Sequence, residues 1–232
     1  MKTNIIAALL LAISIAFSGF FIARAIVYNK DFDRYVAVKG LAEKLVKSDK
    51  AIWRINYSYA ANNLTEVYSG LAHAQKEIIN FLLQQGFIEE NISIQPGSVI
   101  DNQSINYSAN QNIKHFTATA TIILATKKVD AVYQAIQKIG NLVNKNVVIN
   151  DSYVRYIFTD LNMIKPEMLN ASIHNAKEAA NTFAKNSGSK LTGIRMANQG
   201  VFTINAADNA VNPDTAIMKS IRVVTSVEYF LQ

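Results

Sequence analysis

The side chains that could carry out chemistry are few in this sequence and lie far apart. It has three histidines and no cysteine. His73 and His174 fall in segments of helical periodicity, off the apolar positions, and His115 opens a segment that alternates like a strand. None of them has a companion at a metal-ligand interval, so we predict no metal site and no cofactor. The absence of cysteine excludes a thiol nucleophile and disulfides within this chain.

Candidate nucleophiles and acid–base pairs are equally weak. The stretch SGSK at residues 187–190 places serine near lysine, but this pattern is more typical of a helix end followed by a turn. Glu89 and Glu90 are sequence neighbours, expected at an exposed turn rather than as a working acid–base pair. Three other acids are isolated at predicted strand edges, where acids usually cap and solubilise: Asp49, Asp151 and Asp160. No phosphate-binding glycine loop or nucleophile elbow occurs. We therefore assign no catalytic or cofactor-binding residue and predict that the protein is not an enzyme.

An aromatic-rich strand leaves two interpretations open. In AIWRINYSYAA, residues 51–61, Trp53, Tyr57 and Tyr59 share one face of an alternating segment. They could form a stacking platform for a sugar or for peptidoglycan. The pattern favours the other interpretation, in which they belong to the core of a half-buried strand.

The charge distribution argues against a nucleic-acid partner. The formal net charge is +6, from 23 basic and 17 acidic residues, but the basic side chains are scattered and Lys127 and Lys128 are the sole adjacent pair. Nucleic-acid binding needs basic side chains clustered on one face and interleaved with aromatic ones. We predict no nucleic-acid partner.

The first 24 residues predict a membrane anchor or a signal segment. Residues 3–23 carry no charge, and a helix over residues 5–23 would be about 28 Å long, close to the hydrocarbon thickness of a bilayer. This length favours a retained anchor, but the Ala-Arg-Ala pattern at residues 23–25 keeps a cleaved signal open as the alternative. Because Lys2 precedes the apolar run, the rest of the chain is expected outside the cytoplasm.

Beyond a charged juncture at residues 25–34, the apolar periodicity predicts an α+β domain over residues 35–232. Strands and helices follow one another as β-β-α-β-β-α-β-α-β-β, with helices near 62–86, 129–143 and 166–188. The first two strands are expected to form a hairpin. We predict one mostly antiparallel sheet with three helices on one face.

Three residues are expected to mark the ends of elements. Gly40 closes the first strand, Pro96 stops the strand that follows the first helix, and Pro166 opens the third helix.

The third predicted helix has an apolar stripe of small residues. Leu169, Ile173, Ala176, Ala180 and Phe183 recur with helical spacing. Small side chains give up buried area, at about 0.8 kcal/mol for each missing methylene, but they let a helix approach its neighbour closely. We predict tight packing on a sheet or another helix rather than a ligand groove lined by alanine.

Several soft motifs occur in an ordered series. YVAVKG is followed by SDKA at the next strand start, then by FTATATIIL, FTDL, NAKEAANTFAKNSGSKLTGI and a closing RVVTSVEYFL. This order resembles the bacterial SIMPL domain family over about residues 35–232. The resemblance implies an exported, envelope-associated α+β protein without an established enzymatic activity. In some members it also implies a link to oxidative-stress tolerance and to large ring-like assemblies.

Two functions are therefore expected. The first is a non-enzymatic periplasmic protein that acts through homo-oligomeric assembly or through an envelope protein partner, in oxidative-stress tolerance. Its N-terminal helix, residues 1–24, would anchor it as a single-pass protein of the bacterial inner membrane, and cleavage would instead leave a soluble periplasmic chain. The alternative is a periplasmic binding module for a small ligand or an envelope polymer, with segments 97–112 and 206–217 as the rims of a cleft.

Overall fold

The structure, a computed structural model, describes residues 11–24, 34–105, 113–208 and 212–232. The helices are α1 (residues 11–24), α2 (Leu64–Gln84), α3 (Asn102–Ile105), α4 (Val129–Ile136) and α5 (Leu161–Asn186). The strands are β1 (Tyr35–Lys47), β2 (Lys50–Ala61), β3 (Ile92–Asp101), β4 (Phe116–Thr126), β5 (Val148–Ile157), β6 (Leu191–Gln199), β7 (Thr203–Ala206) and β8 (Met218–Leu231). Short 3-10 helices cover Glu89–Asn91, Ile139–Lys145 and Pro213–Thr215.

The described strands form two four-stranded sheets. In the first sheet the order is β1-β8-β6, and β7 also pairs with β8. In the second sheet the order is β3-β4-β2-β5, and all three pairings are antiparallel. β6 and β8 are antiparallel as well. The predicted combination of helices with antiparallel pairing is confirmed, but the prediction of one sheet with three helices on one face is wrong.

The predicted hairpin of the first two strands is also wrong. β1 pairs with β8 in the first sheet, whereas β2 lies between β4 and β5 in the second. Ser48 and Asp49 alone separate the two strands along the chain. Alternation of apolar residues predicts a strand but not its partner, because the pairing depends on packing with segments distant in sequence.

The chain divides into two compact units, each with its own core. The first unit comprises Met1–Lys44, Ile164–Thr203 and Arg222–Gln232, and the second comprises Leu45–Met163 and Ile204–Ile221.

The second unit is built on the second sheet, with α2 and α4 packed on one face. Trp53, Ile55 and Tyr57, at alternate positions of β2, are fully buried. They belong to one apolar cluster with Ile78 of α2 and Val132 of α4. The alternate residues of β2 and the helically spaced apolar residues of α2 therefore pack into a single core.

The ends of α2 follow local sequence signals. The Asn63 side chain accepts a hydrogen bond from the Glu66 backbone N–H at 2.8 Å, so Asn63 is the N-cap of the helix. Gly86 follows the helix with φ of +86°, a left-handed conformation that glycine adopts at low cost. The predicted end of the helix at this glycine is confirmed.

The first unit packs α5 against the first sheet through small side chains. The buried residues of α5 are Met168, Ser172, Ala176, Ala180 and Ala184. Ala176 and Ala180 are fully buried and cluster with Val38 of β1. The predicted tight packing is confirmed, but the stripe is shifted, because Ile173 and Phe183 are 41% and 61% exposed.

Gly40 explains how closely α5 approaches β1. A Cβ atom on Gly40 would lie 1.8 Å from the Ser172 carbonyl oxygen and 2.9 Å from the Ala176 Cβ. The glycine therefore lies inside β1 as the contact point for the helix. Its predicted role as the end of the strand is wrong, because β1 continues to Lys47.

The third predicted helix begins five residues before Pro166, at Leu161, so the predicted start is wrong. The reason is a capping group distant in sequence. The Asp49 carboxylate accepts hydrogen bonds from the Thr159 N–H at 2.8 Å and the Asp160 N–H at 3.0 Å. These bonds satisfy backbone donors at the start of the helix. Pro166 is accommodated in the helix at the cost of one missing N–H donor.

Pro96 does not stop β3, contrary to the prediction. The strand runs from Ile92 to Asp101, and its register against β4 shifts between Gln95 and Ser98. β3 is an edge strand of the second sheet. An edge position with an irregular register is where a strand tolerates proline.

The N-terminal helix α1 is described over residues 11–24, and its large apolar side chains are exposed. Within the described ranges, no helix has the length and apolar content needed to cross a membrane. Residues 1–10, which form the first part of the predicted anchor, lie outside those ranges.

Candidate functional site

The three histidines lie on three different elements or their flanks. His73 is exposed on α2, and His174 is exposed on α5 with its Nδ1 3.8 Å from Glu178 Oε2. His115 precedes β4, with its Nε2 3.1 Å from Asp101 Oδ1. Among the residues that the structure describes, no group of three His, Cys, Asp or Glu side chains could hold a metal ion.

The remaining candidates from the sequence have structural roles. Asp49 caps α5, which confirms the predicted capping role. Ser187, in the SGSK stretch, donates from its N–H to Phe183 O and from its Oγ to Ala184 O, both at 3.0 Å. Gly188 has φ of +69°. The interpretation of this stretch as a helix end is therefore confirmed.

Trp53 and Tyr57 are core residues, as the alternation of β2 favours, and the stacking platform is wrong for both. The Trp53 indole Nε1 donates to Ser152 Oγ at 2.8 Å. Because a buried indole N–H needs an acceptor, this bond fixes Trp53 against β5. It also connects the core to the surface feature described next.

The second unit contains a cleft of about 660 Å³ beside β5. Its walls come from α4, β5 and the segment that leads into β8. The lining residues are Tyr133, Ile136, Gln137, Ser152, Tyr153, Val154, Tyr156, Ala207, Asp208, Thr215, Ala216, Ile217 and Met218. This volume lies within the range of small-molecule sites, and a mainly apolar wall with a few polar groups is their usual composition.

The segment that closes the cleft is held by side chains of its own unit. Asn212 Nδ2 donates to the hydroxyl of Tyr153 at 2.9 Å, and Arg155 Nε donates to Asp214 Oδ2 at 2.8 Å. The ammonium of Lys219, a residue only 2% exposed, donates to the Pro213 carbonyl. These three bonds hold the 3-10 turn at Pro213–Thr215 against β5 and β8, so this wall of the cleft has a defined position.

Burial around the cleft shifts the pKa values of Lys219 and Tyr156 in opposite directions. Burial lowers the pKa of the Lys219 ammonium, while Asp214 and Asp208 oppose that shift. Burial raises the pKa of Tyr156, and electrostatic repulsion from Asp130 and, once it is ionised, from Tyr133 raises it further. Because its pKa is raised from an ordinary value of 10.0, Tyr156 is neutral at neutral pH.

The structure brings one of the two predicted rims to this cleft. Ala207, Asp208 and residues 215–217 of the 206–217 segment line it. None of the described residues of segment 97–112 does, and residues 106–112 lie outside the described ranges.

The tyrosines of the cleft were not singled out from the sequence. Tyr133 lies off the apolar stripe of α4 and is 53% exposed, and a single exposed aromatic side chain of this kind is common on protein surfaces. In the sequence, nothing distinguishes Tyr153 and Tyr156 from ordinary strand residues. Their shared site depends on the packing of residues 207–208 and 215–218 beside them.

The match to a family covers most of the chain. Residues 36–229 match the SIMPL family, described as a protein of unknown function (DUF541). The chain belongs to the SIMPL family. This match confirms the resemblance drawn from the motif series. It also includes every residue that lines the cleft.

Comparison of the SIMPL chain with curated proteins gives no match. Two solved structures from Listeria innocua are similar at 10% identity and cover 82% of this chain. One is described as a hydrolase, with 91% of its own chain covered and a TM-score of 0.23. The other is described as an uncharacterized conserved protein, with 92% covered and a TM-score of 0.18. At these scores neither structure informs the activity of the SIMPL chain.

Proposed function

We propose that this SIMPL protein is a non-enzymatic binding module of the cell envelope that takes a small ligand into the cleft beside β5. The observation that carries the proposal is the cleft itself, whose volume of about 660 Å³ suits a small molecule. Its wall is held by defined hydrogen bonds from Lys219, Arg155 and Asn212. A preorganised wall lowers the ordering cost that a ligand must offset on binding.

The side chains around the cleft favour binding over catalysis. Asp208 is the single carboxylate among its lining residues, and no described histidine or lysine lines it. The Ser152 hydroxyl accepts the hydrogen bond of Trp53, and no general base lies beside it among the lining residues. A nucleophile needs an adjacent base, and acid–base catalysis needs a second titratable group.

An envelope location and a membrane tether are part of the proposal. The apolar run at residues 3–23 supports it, as do the exposed side chains of α1, such as Leu11, Phe17 and Phe21. Each of these three is more than 60% exposed, and a row of exposed apolar side chains usually marks contact with a membrane or a protein.

The test uses Trp53, the sole tryptophan, as an internal reporter. The full chain in a non-ionic detergent is titrated with three probes: benzyl alcohol, choline and benzoate. We expect at least one probe to shift the Trp53 emission saturably and to release or absorb heat in calorimetry. Ala216→Phe, which narrows the cleft, should abolish that response, whereas Ala171→Phe at an exposed position of α5 should preserve it. If no probe binds, or if Ala216→Phe binds as the parent does, the cleft is not a ligand site.

A homo-oligomeric scaffold is the second candidate. Strand β6 ends the described order of the first sheet, and its Ile194 and Met196 are 56% and 60% exposed. A free strand edge with apolar side chains can pair with a second copy. Sedimentation of the full chain in detergent should then give a mass above that of one chain. Met196→Lys should lower this mass, whereas a monomeric parent would exclude the scaffold.

We also propose a role in oxidative-stress tolerance, which the resemblance implies for some members of the family. It predicts that a strain without this protein survives peroxide less well and that the full-length chain restores survival. Equal survival of the two strains would remove this role without affecting ligand binding.

A further inference from the structure

We propose that the cleft of this SIMPL protein takes a short extended peptide, which pairs as an added strand with the free edge of β5. This inference rests on the proposed binding function and adds the chemical class of the ligand. Three observations carry it: the position of the cleft along a strand edge, the lack of a backbone partner at that edge, and the apolar side chains around it.

The cleft follows the edge of β5 rather than one face of its sheet. Val154 opposes the fully buried Trp53 of β2, so its side chain faces the core. Tyr153, the preceding residue, opposes the exposed Arg54 of β2 and faces the other side of the sheet. Both residues line the cleft. A cavity lined by successive residues of one strand, from both faces of the sheet, runs along the backbone at the strand edge.

The edge of β5 that borders the cleft has no strand partner among the described residues. β5 ends the order of the second sheet and pairs with β2 alone. The 3-10 turn at Pro213–Thr215 and its N-cap Asn212 are bonded to β5 through the side chains of Arg155 and Tyr153. No backbone hydrogen bond joins the described residues of this turn to β5. Alternate residues of an edge strand direct their N–H and C=O groups away from the paired strand, so these groups lack a backbone partner.

The two edges of the second sheet differ in their suitability for strand pairing. β3, at the opposite edge, contains Pro96, and its register against β4 shifts between Gln95 and Ser98. Proline and an irregular register are common protections against unwanted pairing. β5 has no proline, and its register against β2 is continuous from Asp151 to Ile157. A regular strand edge beside a cleft is the arrangement to which extended peptides bind by strand addition.

The lining also suits the side chains of an extended peptide. Alternate side chains of a strand point to the same side, so every second residue of an added peptide meets the same wall. Apolar residues contribute much of this wall, among them Ile136, Val154, Ala216 and Ile217. Main-chain hydrogen bonds then provide affinity, and the apolar wall selects the alternate side chains. We expect small aliphatic side chains, such as valine, at these positions of the peptide.

The experiment uses the peptide acetyl-Thr-Val-Thr-Val-Thr-amide and two N-methylated forms of it. One form carries methyl groups on the valine nitrogens, and the other carries them on the threonine nitrogens. A strand added to one edge pairs through the N–H groups of alternate residues, so one form loses the pairing donors and the other keeps them. The full chain in non-ionic detergent is titrated with each peptide in a calorimeter. We expect the unmethylated peptide to bind saturably and one methylated form to bind about tenfold more weakly than the other, because hydrogen bonds are lost in that form alone.

Hydrogen exchange and a matched pair of variants assign the peptide to the cleft. Binding of the unmethylated peptide should slow amide exchange within residues 152–156 of β5, because amides that gain a hydrogen bond exchange only on opening. Ala216→Phe, which narrows the cleft, should abolish peptide binding. Ala171→Phe, at an exposed position of α5, should preserve it.

Four results overturn the peptide inference and leave the binding function standing. They are equal affinity of the two methylated peptides, slowed exchange in β3 or β6 instead of β5, peptide binding unchanged in Ala216→Phe, and exchange in β5 that slows with protein concentration in the absence of peptide, which assigns the edge to a second copy. If no peptide binds but benzyl alcohol, choline or benzoate does, the peptide inference is also wrong and the binding function survives. If neither the peptides nor these three probes bind, the binding function itself is lost.

Discussion

At the residue scale, the bond between Trp53 and Ser152 connects the core of the second unit to the wall of the cleft. Ser152→Ala removes the acceptor and leaves a buried indole N–H without a partner. The expected loss is about 1–3 kcal/mol of unfolding free energy, measured by urea denaturation of the full chain in detergent. The control is Ser93→Ala on the exposed side of β3, which should cost less than about 0.5 kcal/mol. Equal losses in the two variants would contradict a special role for the Trp53 bond.

Burial of Tyr57 makes the unfolding free energy depend on pH in the alkaline range. Burial raises the pKa of Tyr57 above its ordinary value of 10.0, and its hydroxyl donates to Gln75 Oε1 at 3.3 Å. The unfolded chain therefore loses this proton first, so the contribution of Tyr57 is complete below about pH 10 and declines as the pH rises through the folded pKa. Tyr57→Phe should make this decline shallower in urea midpoints measured between about pH 8 and pH 11. Parallel pH profiles for parent and variant would contradict the expected linkage.

At the element scale, the packing of α5 on β1 depends on Gly40. A Cβ at this position would collide with backbone atoms of Ser172 and Ala176, which cannot move without shifting the helix. An overfilled core usually costs about 1–3 kcal/mol of unfolding free energy. Because the clash here is with backbone atoms, Gly40→Ala should cost at least the upper end of this range. Gly193→Ala in β6 is the control, because a Cβ there meets nothing within 4 Å. If both alanines are tolerated equally, the close approach is not what orders this unit.

The alanines of α5 test the same contact from the helix side. Ala180→Leu adds volume at a fully buried position and should cost about 1–3 kcal/mol in denaturant unfolding. Lys177→Leu changes an exposed position and should alter stability by less than about 0.5 kcal/mol. Since leucine and lysine have similar helix propensities, the contrast between the two variants reports packing. An unchanged midpoint for Ala180→Leu would mean that the alanines form an external groove.

The elements themselves show which features can be predicted from sequence. The two ends of α2 were predictable because Asn63 and Gly86 act on the backbone within one turn. The start of α5 was not, because its cap comes from Asp49, about 110 residues earlier in the chain. The separation of β1 and β2 into different sheets has the same cause. Local periodicity fixes the type of an element, but its partner is set by contacts distant in sequence.

At the scale of the whole molecule, the cleft was only partly predictable. Segment 206–217 was predicted as a rim because it is polar and without regular periodicity, and its residues 207, 208 and 215–217 do line the cleft. The other walls of the cleft come from α4 and β5, whose residues have ordinary periodicity in the sequence. Tyr133 and Tyr156 become site residues through the tertiary arrangement alone, so a single sequence cannot identify them as a pair.

The last prediction concerns how the whole chain is held in the envelope. If the N-terminal segment is retained, the full-length protein should fractionate with membranes and resist extraction by alkali, because about 20 apolar residues are needed to span the hydrocarbon layer as a helix. Mass analysis should then find the chain still beginning at its own N-terminus. Replacing Ile13 and Phe17 by aspartate should release the protein from membranes, because a charged side chain costs about 2.5–3.5 kcal/mol at the centre of an inserted helix. Replacing the exposed Tyr68 of α2 by aspartate is the control and should leave the fractionation unchanged. A soluble chain that begins at Ile26 would instead identify residues 23–25 as a cleavage site, and the binding module would then act free in the periplasm.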